Sequence, residues 1–119
     1  MDNLKPTTDR FANRHGYSDV TPYEIVRIVS DKCLEIRAMV TSENKTPLHF
    51  EVGGFSAHCT NQTAQEYEYV SDPINPIKRI RLNKVGTLRG AEANLVWKDK
   101  YGRDYFISDA PEKFYDFNF

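Results

Sequence analysis

A chain of 119 residues with a net charge of −1 is one domain by length, with enough sequence to bury a core and no bulk attraction to nucleic acid or anionic lipid. No apolar run approaches a membrane span, and residues 1–6 carry no apolar signal segment. The two cysteines, Cys33 and Cys59, fit a reducing compartment, so the expectation is a soluble protein of the cytoplasm.

The stretch 1–21 is polar and aperiodic, punctuated by Pro6 and Gly16. It reads as an N-terminal tail or loop, pinned by Phe11 and Tyr17, leading into a single β domain over 22–119. His15 within it reads as a surface residue.

Residues 23–29 are β-branched and aromatic, as strands prefer. A short turn at 30–32 follows. Over 33–40 the alternation is clean: Leu34, Ile36, Ala38 and Val40 face one way, Glu35 and Arg37 the other. The pair is an antiparallel hairpin.

After a polar loop at 41–47, residues 48–52 alternate again, with Leu48, Phe50 and Val52 inward and His49 outward. Further strands are expected at 66–70, 77–82, 93–98 and 103–107. The turns between them are carried by 71–76, 84–87 and 99–102. Leu34, Ile36, Phe50, Leu82 and Trp97 are the expected core. The aromatic close, 114–119, is expected to tuck against the body.

About seven short strands and no helical period make the fold mainly β: an antiparallel small barrel or sandwich. A partly open, SH3-like barrel fits best, with the long middle loop crossing to close the sheet.

The least ordinary stretch is 53–62, Gly-Gly-Phe-Ser-Ala-His-Cys-Thr-Asn-Gln. Paired glycines followed by small hydrogen-bonding side chains suit a backbone-rich loop packed against a sheet. Gly53, Gly54, Phe55, His58, Asn61 and Gln62 are its candidate binding residues. His58, Cys59 and Asn61 are types used by thiol nucleophile sites, but adjacent side chains diverge along a strand, whereas catalytic groups converge from separate segments. Metal-ligand spacing is lacking. The glycine pair has neither a downstream Gly-Lys-Ser/Thr nor a dinucleotide fingerprint. Glu66 and Glu68 share a solvated strand face rather than forming an acid/base pair. The expectation is a non-catalytic protein without metal or cofactor.

Charge placement says more than charge total. Residues 76–103 hold eight basic side chains against two acidic ones, a net +6. Residues 43–75 carry −4 and residues 104–119 carry −3, while the first 42 balance. Lys78, Arg79, Arg81, Lys84 and Arg89 form a candidate basic surface, with Trp97, Tyr101 or Tyr105 at hand to stack bases. The competing structural account pairs the basic strand with an acidic one, so that the two neutralise each other across the sheet.

Tyr17-Ser18-Asp19, Pro22-Tyr23, the loop 53–62, the run 65–69 with Asp72-Pro73, and the aromatic run 114–119 occur in that order. Together they resemble small bacteriophage and plasmid proteins for which no activity is established, so no functional residue carries over. Members of that group often show Gly-Arg-Trp after the penultimate turn, where this chain has Gly86-Thr87-Leu88. The resemblance implies a mobile-element origin and action in the host bacterial cytoplasm. The functional expectation is a small protein that binds a host or phage protein, with inhibition of a host defence system such as CRISPR as one form, and no membrane partner. The alternative is a nucleic-acid-binding β-barrel using the basic stretch 76–103.

Overall fold

The computed structural model describes residues 5–53, 56–59, 61–85 and 94–116. Six strands close a barrel: β1 (Phe11–His15), β2 (Val20–Ser30), β3 (Cys33–Ala38), β8 (Ile77–Val85), β9 (Asn94–Lys98) and β10 (Asp104–Ser108). Between β3 and β8 lie four short strands in two two-stranded sheets. β4 (Val40–Thr41) pairs with β7 (Tyr69–Val70), and β5 (Phe50–Gly53) pairs with β6 (Ser56–Cys59). A single 3₁₀ turn, Gln62–Ala64, follows β6.

Around the barrel the order is β1-β10-β9-β8-β3-β2, every neighbour antiparallel. It is therefore an up-and-down meander whose third and fourth strands are separated by an insertion. The antiparallel barrel expected from the strand spacing is present, closed rather than partly open. Closure comes from β1 pairing with β10, not from the middle loop.

That pairing corrects the reading of 1–21 as a tail. Only Ala12 of β1 is an apolar residue turned fully into the core, so the strand carries no period-two signal. Its other buried residue is polar. Asn13 Nδ2 donates to Ser108 Oγ at 2.6 Å and to the Ala110 carbonyl at 3.1 Å, and Oδ1 accepts the Glu112 N–H at 2.9 Å. Asn13 thus ties β1 to the segment after β10 with its amide satisfied on both sides. His15 is half-buried rather than on the surface, edge-on to Phe106 at 4.7 Å between centroids. Burial lowers its pKa, and Nε2 has no hydrogen-bond partner among the described residues.

The hairpin β2–β3 forms as the alternation indicates, with Ile25 opposite Ile36 and Ile28 opposite Leu34. Register shifts between Ile25 and Arg27 and between Ile28 and Ser30 bend β2 and increase its twist, which lets a long strand follow the barrel wall. The first shift puts Ile28 on the same face as Leu34, where it is nonetheless 39 % exposed.

All six barrel strands feed one core: Ala12, Tyr23, Ile25, Leu34, Ile36, Ile80, Trp97, Tyr105 and Ile107. Ala38 and Leu82 pack at its margin. Of the expected core residues Phe50 is the exception, at 47 % exposure, because β5 belongs to the insertion and faces no barrel interior. Val40 is exposed for the same reason.

The insertion is held by polar contacts more than by ladder. The expected strand at 66–70 narrows to Tyr69–Val70, because side chains substitute for backbone partners. Asn44 Oδ1 accepts the Glu66 N–H at 3.0 Å, and Ser42 Oγ accepts the Glu68 N–H at 2.9 Å. Ser71 Oγ donates to Glu24 Oε1, which also takes the Arg37 guanidinium at 2.6 Å, fastening the insertion to β2 and β3. The chain after β10 returns as well. Val20 and Phe114 exchange two 3.0 Å backbone bonds, and Gln65 bonds both backbone groups of Tyr115. Residues 117–119 of the aromatic close lie outside the described residues.

Leu34 and Ile36 are wholly inaccessible to solvent. Truncating either to Ala is expected to cost about 2–5 kcal/mol of unfolding free energy. Urea denaturation followed by tryptophan fluorescence measures it, since Trp97 is buried in the same core.

Candidate nucleic-acid interface

Strand β8 supplies the basic face. Ile80 is fully buried, so alternation sends Arg79, Arg81 and Asn83 outward, where all three are exposed. In the neighbouring strand Trp97 points inward and Lys98 does not, and Lys98 stands directly opposite Arg81. Beyond β9 the turn adds Lys100 and Tyr101. Arg79, Arg81, Asn83, Lys98, Lys100 and Tyr101, with Ile77 and the inner pair Lys78 and Asp99, line a groove of about 540 Å³.

The candidate basic surface divides accordingly. Arg79 and Arg81 lie together in the groove. Lys78, one position out of phase, is half-buried and turns toward the barrel interior, with Nζ 4.7 Å from the Tyr23 ring centroid and 5.3 Å from that of Tyr105. Lys84 extends β8 where a turn was expected, so the strand is longer than its apolar pattern suggests. Arg89 lies outside the described residues.

Neutralisation across the sheet is partial. The neighbours of β8 are β3 and β9, not the acidic stretch 66–70. Glu35 of β3 is shared between Arg79 at 3.4 Å and Arg27 at 3.6 Å. Lys98 pairs with Asp104. Among the described residues Arg81 and Lys100 have no carboxylate partner, so the groove keeps positive charge open to solvent.

The turn that presents Lys100 and Tyr101 is organised by Asp99, whose side chain is 2 % exposed. Its Oδ1 accepts the N–H groups of Tyr101 at 2.9 Å and Arg103 at 3.1 Å. Its Oδ2 accepts the Tyr105 hydroxyl at 2.9 Å and faces Lys78 Nζ at 3.4 Å. Gly102 completes the turn at φ +78°, a conformation L side chains rarely adopt. Burial by itself would push the Asp99 pKa up. The two backbone donors, the Tyr105 hydroxyl and the Lys78 ammonium outweigh it and hold the carboxyl below its ordinary value. Burial, reinforced by the Asp99 acceptor, drives the Tyr105 phenol well above its usual range.

The expected binding loop is built differently. It forms its own hairpin, β5–β6, with Glu51 opposite His58 and Gly53 opposite Ser56. Gly54 and Phe55 lie outside the described residues. Asn61 clamps the base of the hairpin: Oδ1 accepts the His49 N–H at 2.7 Å, and Nδ2 donates to the Pro47 carbonyl at 2.8 Å. Gln62 opens the 3₁₀ turn. Cys33 and Cys59 are both buried and not joined in a disulfide, and the Cys59 thiol donates to Asn61 Oδ1 at 3.7 Å. Among the described residues no group of three His, Cys, Asp or Glu is placed to hold a metal ion, and no helix is long and apolar enough to cross a membrane.

Of the aromatics considered for stacking, Trp97 and Tyr105 are committed to the core, which leaves Tyr101. The roles of Lys98, Lys100 and Asp99 were not separable in the sequence. They depend on the β8–β9 register and on a turn closed by a side chain, neither of which leaves a periodic signature. No protein-family model, curated protein or solved structure matches the chain.

Asp99→Asn is expected to cost about 3 kcal/mol near neutral pH, as buried donors to a charged acceptor lose it. Because the folded carboxyl titrates below the unfolded one, its contribution is complete above about pH 4 and is lost as pH falls through the folded value. The stability gap between wild type and D99N, read from denaturation at a series of pH values, should therefore close on acidification.

Proposed function

We propose that this protein binds nucleic acid through its phosphate backbone, using the outer face of β8 and β9. The observation that carries this reading is the convergence of Arg79, Arg81, Lys98 and Lys100 on one groove, with Arg81 and Lys100 lacking a carboxylate partner among the described residues. Cations so placed displace counterions from a polyanion and give affinity without base readout. A net charge near zero is no obstacle, because the acidic residues are concentrated in other stretches of the chain.

A salt series tests it. Labelled oligonucleotides should bind at about 0.15 M salt. The double variant Arg79→Gln with Arg81→Gln should flatten the slope of log K against log salt by about 1.4 for single strands and about 1.8 for duplex, two phosphate contacts' worth. An unchanged slope, or no binding by the wild-type protein, refutes the reading.

A second reading has its own support: docking on a host or phage protein in the host cytoplasm, with inhibition of a defence system such as CRISPR as one outcome. Val70 at 60 % exposure and Ile74 at 90 % stand out on the insertion, as anchors for a protein partner would. Retention of a host protein by the wild type and its loss in Val70→Asp with Ile74→Asp, together with no oligonucleotide binding, would select this reading.

A further inference from the structure

We infer that the groove takes single-stranded rather than duplex nucleic acid, with one base stacked on Tyr101; this rests on the phosphate-binding reading of the same groove. Tyr101 is 71 % exposed although it lies within a barrel hairpin whose other aromatics are buried, as Trp97 and Tyr105 are, or half-buried, as Phe106 is. A ring at the tip of a tight turn contributes nothing to the core, yet its backbone is fixed more firmly than turns require. Asp99 Oδ1 holds its N–H and that of Arg103, and the Gly102 N–H donates to the Asp99 carbonyl at 3.0 Å. A pre-set platform of this kind loses little freedom when a ligand arrives.

The ring's surroundings are as informative as its exposure. Lys100 Nζ lies over the ring at 5.1 Å from its centroid and Arg103 Cζ over it at 5.6 Å, so a base that stacks there takes the place of a cation and frees it for a phosphate. A base that reaches the ring meets positive charge placed for its own flanking phosphates. From there the groove continues past Lys98 to Arg81 and Arg79. These two arginines are two residues apart on one strand, hence about 6.8 Å along it. That interval is comparable with the separation of successive phosphates on an extended strand. Duplex bases have their faces occupied by one another, whereas every base of a single strand offers one.

The test compares wild type, Tyr101→Ala and Tyr101→Trp. The probes are oligo(dT) about 12 nucleotides long, the corresponding duplex, and linear polyphosphate, all at about 0.15 M salt. Oligo(dT) should bind more tightly than duplex. Tyr101→Ala should weaken oligo(dT) by about 5- to 150-fold, the range for one lost base stack, while polyphosphate, which has no ring to stack, is weakened far less. Tyr101→Trp should restore affinity, and its indole emission should be quenched by oligo(dT) and not by polyphosphate. Equal weakening of oligo(dT) and polyphosphate by Tyr101→Ala would overturn stacking and leave the ring a support for Lys100 and Arg103. Unchanged oligo(dT) affinity in Tyr101→Ala, with loss in Arg81→Gln, would overturn stacking and leave the groove standing. Failure of both oligo(dT) and polyphosphate to bind wild type would overturn the groove reading and this inference together.

Discussion

The Asp99 carboxylate is the interaction on which both halves of this structure lean. On one side it receives the Tyr105 hydroxyl from the barrel core and the Lys78 ammonium that lies over the Tyr23 and Tyr105 rings. On the other it receives two backbone N–H groups of the β9–β10 turn. A lone buried carboxylate would be costly, and four donors make it tenable. The consequence is mechanical: the surface turn inherits the rigidity of the core, because one side chain belongs to both. Lys78, the first candidate cation in the sequence, proves to be part of this support: it lines the groove, but its charge is committed to Asp99.

The barrel and the insertion are held by different physics. Nine buried side chains from six strands fill the barrel, and their contribution scales with the apolar area removed from water. In the insertion the contacts are Asn44, Ser42, Ser71 and Asn61 reaching backbone or side-chain partners, with a Lys45–Glu68 pair at 2.8 Å on the surface. Such bonds exchange for water at small net gain. The groove, by contrast, sits on strands of the core.

What the sequence disclosed followed from periodicity. Cys33 to Ala38 alternates without fault, and the strand and its partner appear where expected. Ile77, Arg79 and Arg81 share a face by the same rule, so the basic pair was legible before its groove was. Elements without periodicity were not. β1 has one small inward residue and a buried asparagine, and what makes it a strand lies entirely in β2 and β10. Phe50 looked inward because it alternates correctly, but alternation orders the faces of a strand without saying what lies on either side. The glycine-led stretch advertised a site through composition, while the residues that gather around the groove come from β8 and from the turn after β9 and meet only through register.

The closing pair of the barrel has a consequence for synthesis. β1 finds its second partner only in β10, about ninety residues later in the chain. A ribosome adding about 5–20 residues per second needs roughly 5–20 s to cover that interval. During it β2 and β3 can pair beside β1, but the far side of β1 remains an open strand edge with unsatisfied N–H and C=O groups, the kind of template that recruits other chains. Its short length and its composition, with Asn13, Arg14 and His15 among five residues, make it a poor template. The same lack of apolar alternation that hides β1 in the sequence keeps the unfinished barrel from pairing with the wrong neighbour.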